Sequence, residues 1–234
     1  MLFINDKKTN LSEIDKLKKH CKNIYNFDFK RIQFIKNKLF GLMKNRKPLQ
    51  VNYYYFDKIK SWIDENHLNY DMFFCNHIRT TEYVKSYKDK VKIVDFVDSI
   101  AMNYEKAIGK SKGLWKLIYG IDKKRLKDYE VSISNIFQKA IITSKVDSDF
   151  IKKMGGKNVE VIGHYISKKV NSNLDMIKKE EGTICFLGKM DYEPNVTATI
   201  HFVKNIYPKL KNIYPNLKFY VIGGSPTEEI KPLS

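Results

Sequence analysis

The sequence predicts an α/β fold in which parallel strands alternate with amphipathic helices, followed by the opening of a second unit of the same kind. Two observations carry this. Short apolar runs such as DMFFC, KIVDFV and KAIIT are strand-like in length and rich in β-branched and aromatic residues. The stretches between them place apolar residues three and four apart, as on one face of a helix. Strand–helix–strand repetition of this kind implies parallel pairing with helices covering the sheet.

Taken in order, Leu2–Asn5 reads as a strand, and Asn10 with Glu13 forms a capping box for a helix bearing Leu11, Ile14 and Leu17. Asn23–Phe27 is the next strand. Arg31–Arg46 is helical, with Ile32, Ile35, Leu39 and Leu42 on one stripe, and stops before Pro48. Asp57–Asn66 is a helix, Asp71–Cys75 a strand, Thr80–Tyr87 a helix, Lys92–Val97 a strand and Ser99–Ala107 a helix. A long helix runs from Leu114 to Phe137. Lys139–Thr143 is a strand, Val146–Met154 a helix closed by Gly155-Gly156, and Asn158–Ile162 a strand. The strand order is expected to reverse near DMFFC and KIVDFV.

Residues 167–182 are polar and charged with little periodicity and read as an interdomain linker between a domain over 1–166 and a second over 183–234. The second has a strand at Thr183–Leu187, a helix from Asn195, a break near Pro208, and a strand at Leu217–Ile222 closing on Gly223-Gly224. Two strands cannot cover both faces of a sheet, so this domain is expected to be a fragment. The first domain carries no glycine before Gly41, so its opening βα unit is expected to be missing or unrecognisable.

Composition narrows the function. In 234 residues, 43 Lys+Arg against 26 Asp+Glu give a net charge of +17, and 43% hydrophobic content excludes an intrinsically disordered chain. Only Arg31, Arg46, Arg79 and Arg125 are arginines. Such lysine excess fits an AT-rich genome, or attraction to polyanions, better than base readout by arginine. No nucleic-acid partner is expected. No apolar run reaches the roughly 18–20 residues of a membrane span, and the opening Met1–Lys8 is too short for a signal peptide. Cys21, Cys75 and Cys185 lie far apart, which gives neither a disulfide framework nor a zinc site and points to a cytoplasmic chain.

Ligands in open parallel sheets bind beyond the carboxyl ends of the strands. That rule nominates Asn76, His77 and Arg79 after DMFFC, Asp95 and Asp98 at the end of KIVDFV, Gly188 and Lys189 after TICFL, and Gly223 and Gly224 after LKFYVI. His77 and Arg79 suit a polar or anionic ligand, or simply open a helix. Asp95 and Asp98 suit a base or sugar hydroxyls, with Asp98 as a helix cap the alternative. Gly188-Lys189 and Gly223-Gly224 suit a phosphate approaching the backbone, or are ordinary turns. His20, His67 and His201 sit in helical stretches and read as structural. No histidine spacing fits a metal, and none is expected. The Arg31–Arg46 helix, with Lys36, Lys38, Lys44, Arg46 and Lys47 around Phe34, Leu39, Phe40 and Leu42, reads either as a membrane-surface element or as a core helix with solvated lysines.

One stretch carries a resemblance. FLGKMDYEPN, continuing through Pro208 and Pro215 to the V-I-G of LKFYVIGG, resembles the opening of the C-terminal domain of bacterial family 4 glycosyltransferases. NHIRTTEYV, KIVDFVDSIAMNYEKA and ISNIFQKAIITSKVDSDFI are similar to acceptor-side segments of the same family, so the resemblance spans most of the chain. It implies a GT-B-like architecture of two facing Rossmann-like domains. It also implies retaining, metal-independent sugar transfer from a nucleotide-diphosphate sugar, with no cofactor. The acceptor would be a saccharide or lipid-linked, in exopolysaccharide or cell-envelope synthesis, at the inner face of the membrane. By that resemblance Asp95 and Asp98 face the reacting sugar and Asn76, His77 and Arg79 the acceptor. Gly188, Lys189, Gly223 and Gly224 face the donor diphosphate and nucleotide. The chain departs from the family in three places. Asp95 stands where many relatives carry His, Gly163-His164-Tyr165 replaces an Asn-Gly turn, and a later glutamate-rich donor motif has no counterpart. The 234-residue chain alone is therefore expected to be inactive. The alternative is a non-catalytic binding module of the same fold that engages anionic membrane or a partner.

Overall fold

The computed structural model describes residues 1–5, 11–44, 46–109, 113–164 and 180–233. The chain divides into two compact units, Met1–Tyr165 and Ile166–Ser234. The capping box at Asn10 and most of the linker stretch lie outside the described residues.

The first unit is α/β. Strand β1 (Leu2–Asn5), helix α1 (Leu11–Lys18) and strand β2 (Tyr25–Asp28) open it, and β1 pairs with β2 in parallel. Helices α2 (Arg31–Lys44), α3 (Leu49–Tyr53) and α4 (Asp57–Asn66) follow. Then come β3 (Met72–Asn76), β4 (Val91–Val97), α5 (Ile100–Ile108), α6 (Gly113–Ile136), β5 (Lys139–Ile142), α7 (Lys145–Lys153) and β6 (Val159–Val161). The last four strands form one parallel sheet in the order β3-β4-β5-β6. No reversal occurs between β3 and β4, contrary to expectation. The chain-order neighbours pair directly, and β1–β2 stands as its own ladder.

One core serves this unit. Val94 and Phe96 from β4, Ala140 and Ile142 from β5, Leu126 and Ile133 from α6, and Ile151 from α7 are all buried together. Leu2, Ile4 and Phe27 of the β1–β2 ladder pack against the same cluster. An aromatic group closes it: Phe29 stacks on Phe56 with ring centroids 3.6 Å apart, and Phe34 meets Phe56 edge-on at 4.8 Å.

The local differences from expectation have physical causes. The segment expected as a helix over 80–87 is a 3-10 turn at Ile78–Tyr83. There the Thr80 hydroxyl donates to the Asn76 and His77 carbonyls and the Thr81 hydroxyl to that of Ile78, competing with α-helical bonding. Helix α3 was not anticipated. Its first N–H, on Leu49, donates to the Asp122 carboxylate of α6 at 2.9 Å, a long-range bond that no local pattern announces. Helix α2 divides the expected membrane face. Phe34 is fully buried and Gly41 packs on the Asn52 side chain, while Ile32, Ile35, Leu39 and Phe40 are exposed. Lys47 leaves that face to pair with buried Glu82 at 2.5 Å.

The second unit holds β7 (Thr183–Leu187), α8 (Glu193–His201), α9 (Tyr207–Ile213) and β8 (Lys218–Ile222), with β7 and β8 parallel. Helix α8 begins at Glu193, two residues earlier than expected, with Pro194 in its first turn. Pro208 lies in the first turn of α9, after a π-turn at Phe202–Ile206. Met190, Val196 and Ile230 form its small core.

Candidate functional site

The site grows from the carboxyl ends of β3 and β4. In register, Asn76 lies opposite Asp95, and the next backbone N–H, of His77, donates to the Asp95 carbonyl at 2.8 Å. His77 adopts φ +72° and Val97 φ +65°, a left-handed region that bulky L-residues rarely enter. At Val97 the Asp98 N–H turns back on the Phe96 carbonyl at 2.8 Å, closing a γ-turn. One tertiary and one local contact hold this shape. The Thr143 hydroxyl donates to the Val97 carbonyl at 2.7 Å, and the Val97 N–H to Asp95 Oδ1 at 2.9 Å. Strained backbone on two adjacent strand ends is a mark of sites where side chains are aimed.

Within this corner Asp98 Oδ2 accepts from the Asn103 amide at 2.8 Å. Asp98 is not the helix cap; Ser99 is, its hydroxyl oxygen accepting the Met102 N–H. His77 Nδ1 is buried without a hydrogen-bond partner. Burial, then the Arg79 charge, lowers the His77 pKa, against the opposing pull of Asp98 and Asp95. The ring is therefore neutral near pH 7.

Arg79 points a different way. Its Nε donates to Gln50 Oε1 at 2.8 Å, and its guanidinium lies over the Tyr54 ring at 5.2 Å. Gln50 in turn donates to the Tyr104 hydroxyl at 3.2 Å. Arg79, Gln50, Tyr53, Tyr54, Tyr104 and Lys38 line a cavity of about 230 Å³. Gln50 and Tyr104 come from helices, which the strand-end rule does not search.

Beneath the corner lies Glu130, 1% exposed on α6. Its Oε2 accepts from the Ser99 hydroxyl at 2.7 Å and its Oε1 from the Ala101 N–H at 3.0 Å, while Asp147 accepts the Ser99 N–H at 3.0 Å. Burial pushes the Glu130 carboxyl up to about 7, despite those donors. A signal for it existed: an acidic residue on the apolar face of Leu126, Tyr129 and Ile133.

The donor-side residues lie in the second unit. A Cβ on Gly223 would overlap the Gly188 carbonyl oxygen, so these two glycines let the ends of β7 and β8 touch. A Cβ on Gly188 would sit 2.7 Å from the Asn195 amide, which donates to the Lys189 carbonyl at 3.0 Å. The space beside Gly188 thus holds Asn195, where the sequence argument had placed a diphosphate oxygen. Lys189 pairs with Asp191 at 2.9 Å. Gly224 is open, and the stretch after it forms a short 3-10 turn at Lys231–Leu233. The His67 ring stacks on Tyr87 at 4.5 Å, as a structural residue does.

Among the described residues, no three His, Cys, Asp or Glu side chains are placed to hold a metal ion, and no helix is long and apolar enough to cross a membrane. No family model matches the chain, and neither a curated protein nor a solved structure does.

Proposed function

We propose that the strand-end corner of the first unit binds a saccharide acceptor, and that the chain belongs to a GT-B-type sugar transferase using a nucleotide-diphosphate sugar. The observation that carries the reading is the convergence of Asn76, His77, Asp95 and Asp98 on two neighbouring strand ends whose backbones are bent through left-handed residues. Sugar hydroxyls are both donors and acceptors, and this corner offers both. Asp95 and Asp98 each have one carboxylate oxygen tied to the protein and one left to accept a hydroxyl proton. A neutral His77 can donate or accept beside them. Arg79, fixed by Gln50, would hold a polar substituent further out.

On the donor side, Lys189 and the open Gly224 take the diphosphate in this reading, while Gly188 and Gly223 hold the ends of β7 and β8 together beside them. Lys189 would exchange Asp191 for the phosphate oxygens, turning an exposed ion pair into a charge-assisted contact. Stabilising the departing diphosphate is the electrostatic work such a site would do. The acceptor would be a free or lipid-linked saccharide of the cell envelope.

Saturation-transfer NMR with a panel of mono- and disaccharides, on the full chain, tests the acceptor side. Saturable transfer to at least one sugar is expected, reduced about tenfold or more in affinity by Asp95→Asn with His77→Ala, since two hydrogen bonds to charged or buried groups are lost. Equal binding by parent and variant, or no sugar bound at all, would overturn the reading.

A further inference from the structure

The expected amphipathic helix α2 is amphipathic in an unusual sense. Its core side is narrow: Phe34 is buried, Gly41 packs on Asn52, and the Asn37 amide donates to the Tyr55 carbonyl. The opposite side presents Ile32, Ile35, Leu39 and Phe40 at 54, 39, 57 and 61% exposure. Ile32, Ile35, Leu39 and Phe40 fall at i, i+3, i+7 and i+8, so these side chains form one outward stripe along the helix, with the basic Lys36 at i+4 inside it. A stripe of this kind facing water costs free energy unless something covers it.

Lys38 of α2 and Leu49 of α3 line the same cavity, and the Leu49 N–H donates to Asp122 of α6. Helix α6 separately exposes Leu117 and Ile121 in its N-terminal half.

Charge decides the occupant. Residues 30–47 contain seven basic and no acidic side chains, and Lys30, Arg31, Lys36 and Arg46 are exposed. A second copy of this chain would set the same basic face against itself and be repelled. An anionic bilayer offers both complements, acyl chains for the apolar side chains and head-group phosphates for the basic ones. We infer that α2 lies in the surface plane of an anionic lipid bilayer, with Ile32, Ile35, Leu39 and Phe40 inserted between lipids and Arg31, Lys36 and Arg46 against the head groups. This inference does not depend on the sugar-transfer reading: membrane docking and saccharide binding use different residues and are read by different assays.

Co-sedimentation of the full chain with vesicles of phosphatidylcholine, with and without phosphatidylglycerol, tests it. Binding to the anionic vesicles and little to the neutral ones is expected. Ile32→Gln with Leu39→Gln keeps the charge and the helix propensity and removes the apolar stripe; it should lower partitioning about tenfold. Arg31→Gln with Lys36→Gln should lower it about tenfold or more at low salt. Lys152→Gln with Lys157→Gln removes equal charge from exposed positions of α7 and the turn after it, and should change partitioning less than threefold. All six positions are exposed, and circular dichroism confirms that each variant is folded. Failure of the parent to bind anionic vesicles overturns the inference, as does undiminished binding by the Ile32/Leu39 variant. Equal loss in the α2 and α7 charge variants would show a diffuse field in place of a docked helix and would overturn it too. Retention of the parent on immobilised polyglutamate but not on anionic vesicles would assign the face to an acidic polypeptide, again against the bilayer.

Discussion

Glutamine at position 130 separates the charge of Glu130 from its hydrogen bonds. The carboxyl caps the start of α5 from inside the core, taking the Ser99 hydroxyl and the Ala101 N–H. Burial raises its pKa from 4.5 to about 7. A carboxyl whose folded pKa is raised binds its proton more tightly in the folded state, so the first unit loses stability as pH rises from about 4.5 through about 7. At about 1.36 kcal/mol per pH unit, and with the proton fully held only at the low end, the loss between pH 5 and pH 8 is about 2 kcal/mol. Glutamine imitates the protonated acid. Its carbonyl accepts from Ala101 and its amide donates to the Ser99 oxygen, and nothing titrates.

Both tryptophans, Trp62 and Trp115, lie in the first unit, so urea unfolding followed by tryptophan fluorescence reports that unit alone. Relative to the parent, Glu130→Gln should gain about 2 kcal/mol between pH 5 and pH 8. In a thermal melt that is a rise of about 4–8 °C, at about 2–4 °C per kcal/mol for a unit of this size. Asp122 and His77 are also shifted by burial. Asp122, raised to about 6 by burial, runs in the same direction as Glu130. His77, lowered by burial, stabilises above pH 6.5 and loses that contribution as pH falls. Both are common to parent and variant and cancel in the comparison. Glu130→Ala should be destabilised at both pH values, by about 2–5 kcal/mol, because the buried donors around it lose their acceptor. If Glu130→Gln follows the pH profile of the parent, the buried carboxyl does not carry the proton assigned to it and the reasoning fails.

Three further outcomes follow from the geometry. Gly223→Ala should separate the ends of β7 and β8, because its Cβ meets the Gly188 carbonyl, whereas Gly224→Ala meets nothing; hydrogen exchange of the β7 amides should accelerate at least tenfold in the first variant and stay within about twofold in the second. His77→Gly should relax a left-handed residue and remove an unpartnered ring nitrogen, raising the urea stability of the first unit by about 1 kcal/mol while weakening saccharide binding in NMR by less than the Asp95/His77 double variant does. Cys75 is buried, and burial pushes its thiol up to about 12, while Cys185 is exposed and Cys21 half-buried. A thiol reagent at pH 8 should therefore label two of the three cysteines in the native chain and the third only in denaturant.

The parts of the fold that were legible in the sequence are those set by local pattern. Thr183–Leu187 and Asp57–Asn66 fall where apolar runs and helical spacing place them, and α6 departs by one residue at each end. The illegible parts are set by contacts far along the chain. Helix α3 depends on a bond to Asp122, and the β3–β4 adjacency depends on which strands find each other, which no single strand records. The site divides the same way. The strand-end rule finds Asn76, His77, Asp95 and Asp98 because a parallel sheet brings its carboxyl ends to one edge. It misses Gln50 and Tyr104, which reach Arg79 from helices. It also gives no warning that His77 and Val97 are left-handed, since neither is the Gly, Asn or Asp that advertises that conformation. Here the backbone is bent from outside, by Thr143 on the Val97 carbonyl and by the Asp95 carbonyl on the His77 N–H. A glycine at either position would make the same bend with less strain. It would leave out the imidazole at 77, and at 97 it would remove a β-branched side chain that stiffens the turn carrying Asp98. The strain at these two strand ends is thus the consequence of placing side chains where the chain would otherwise put glycine, and that placement is the strongest structural reason to look for a ligand there.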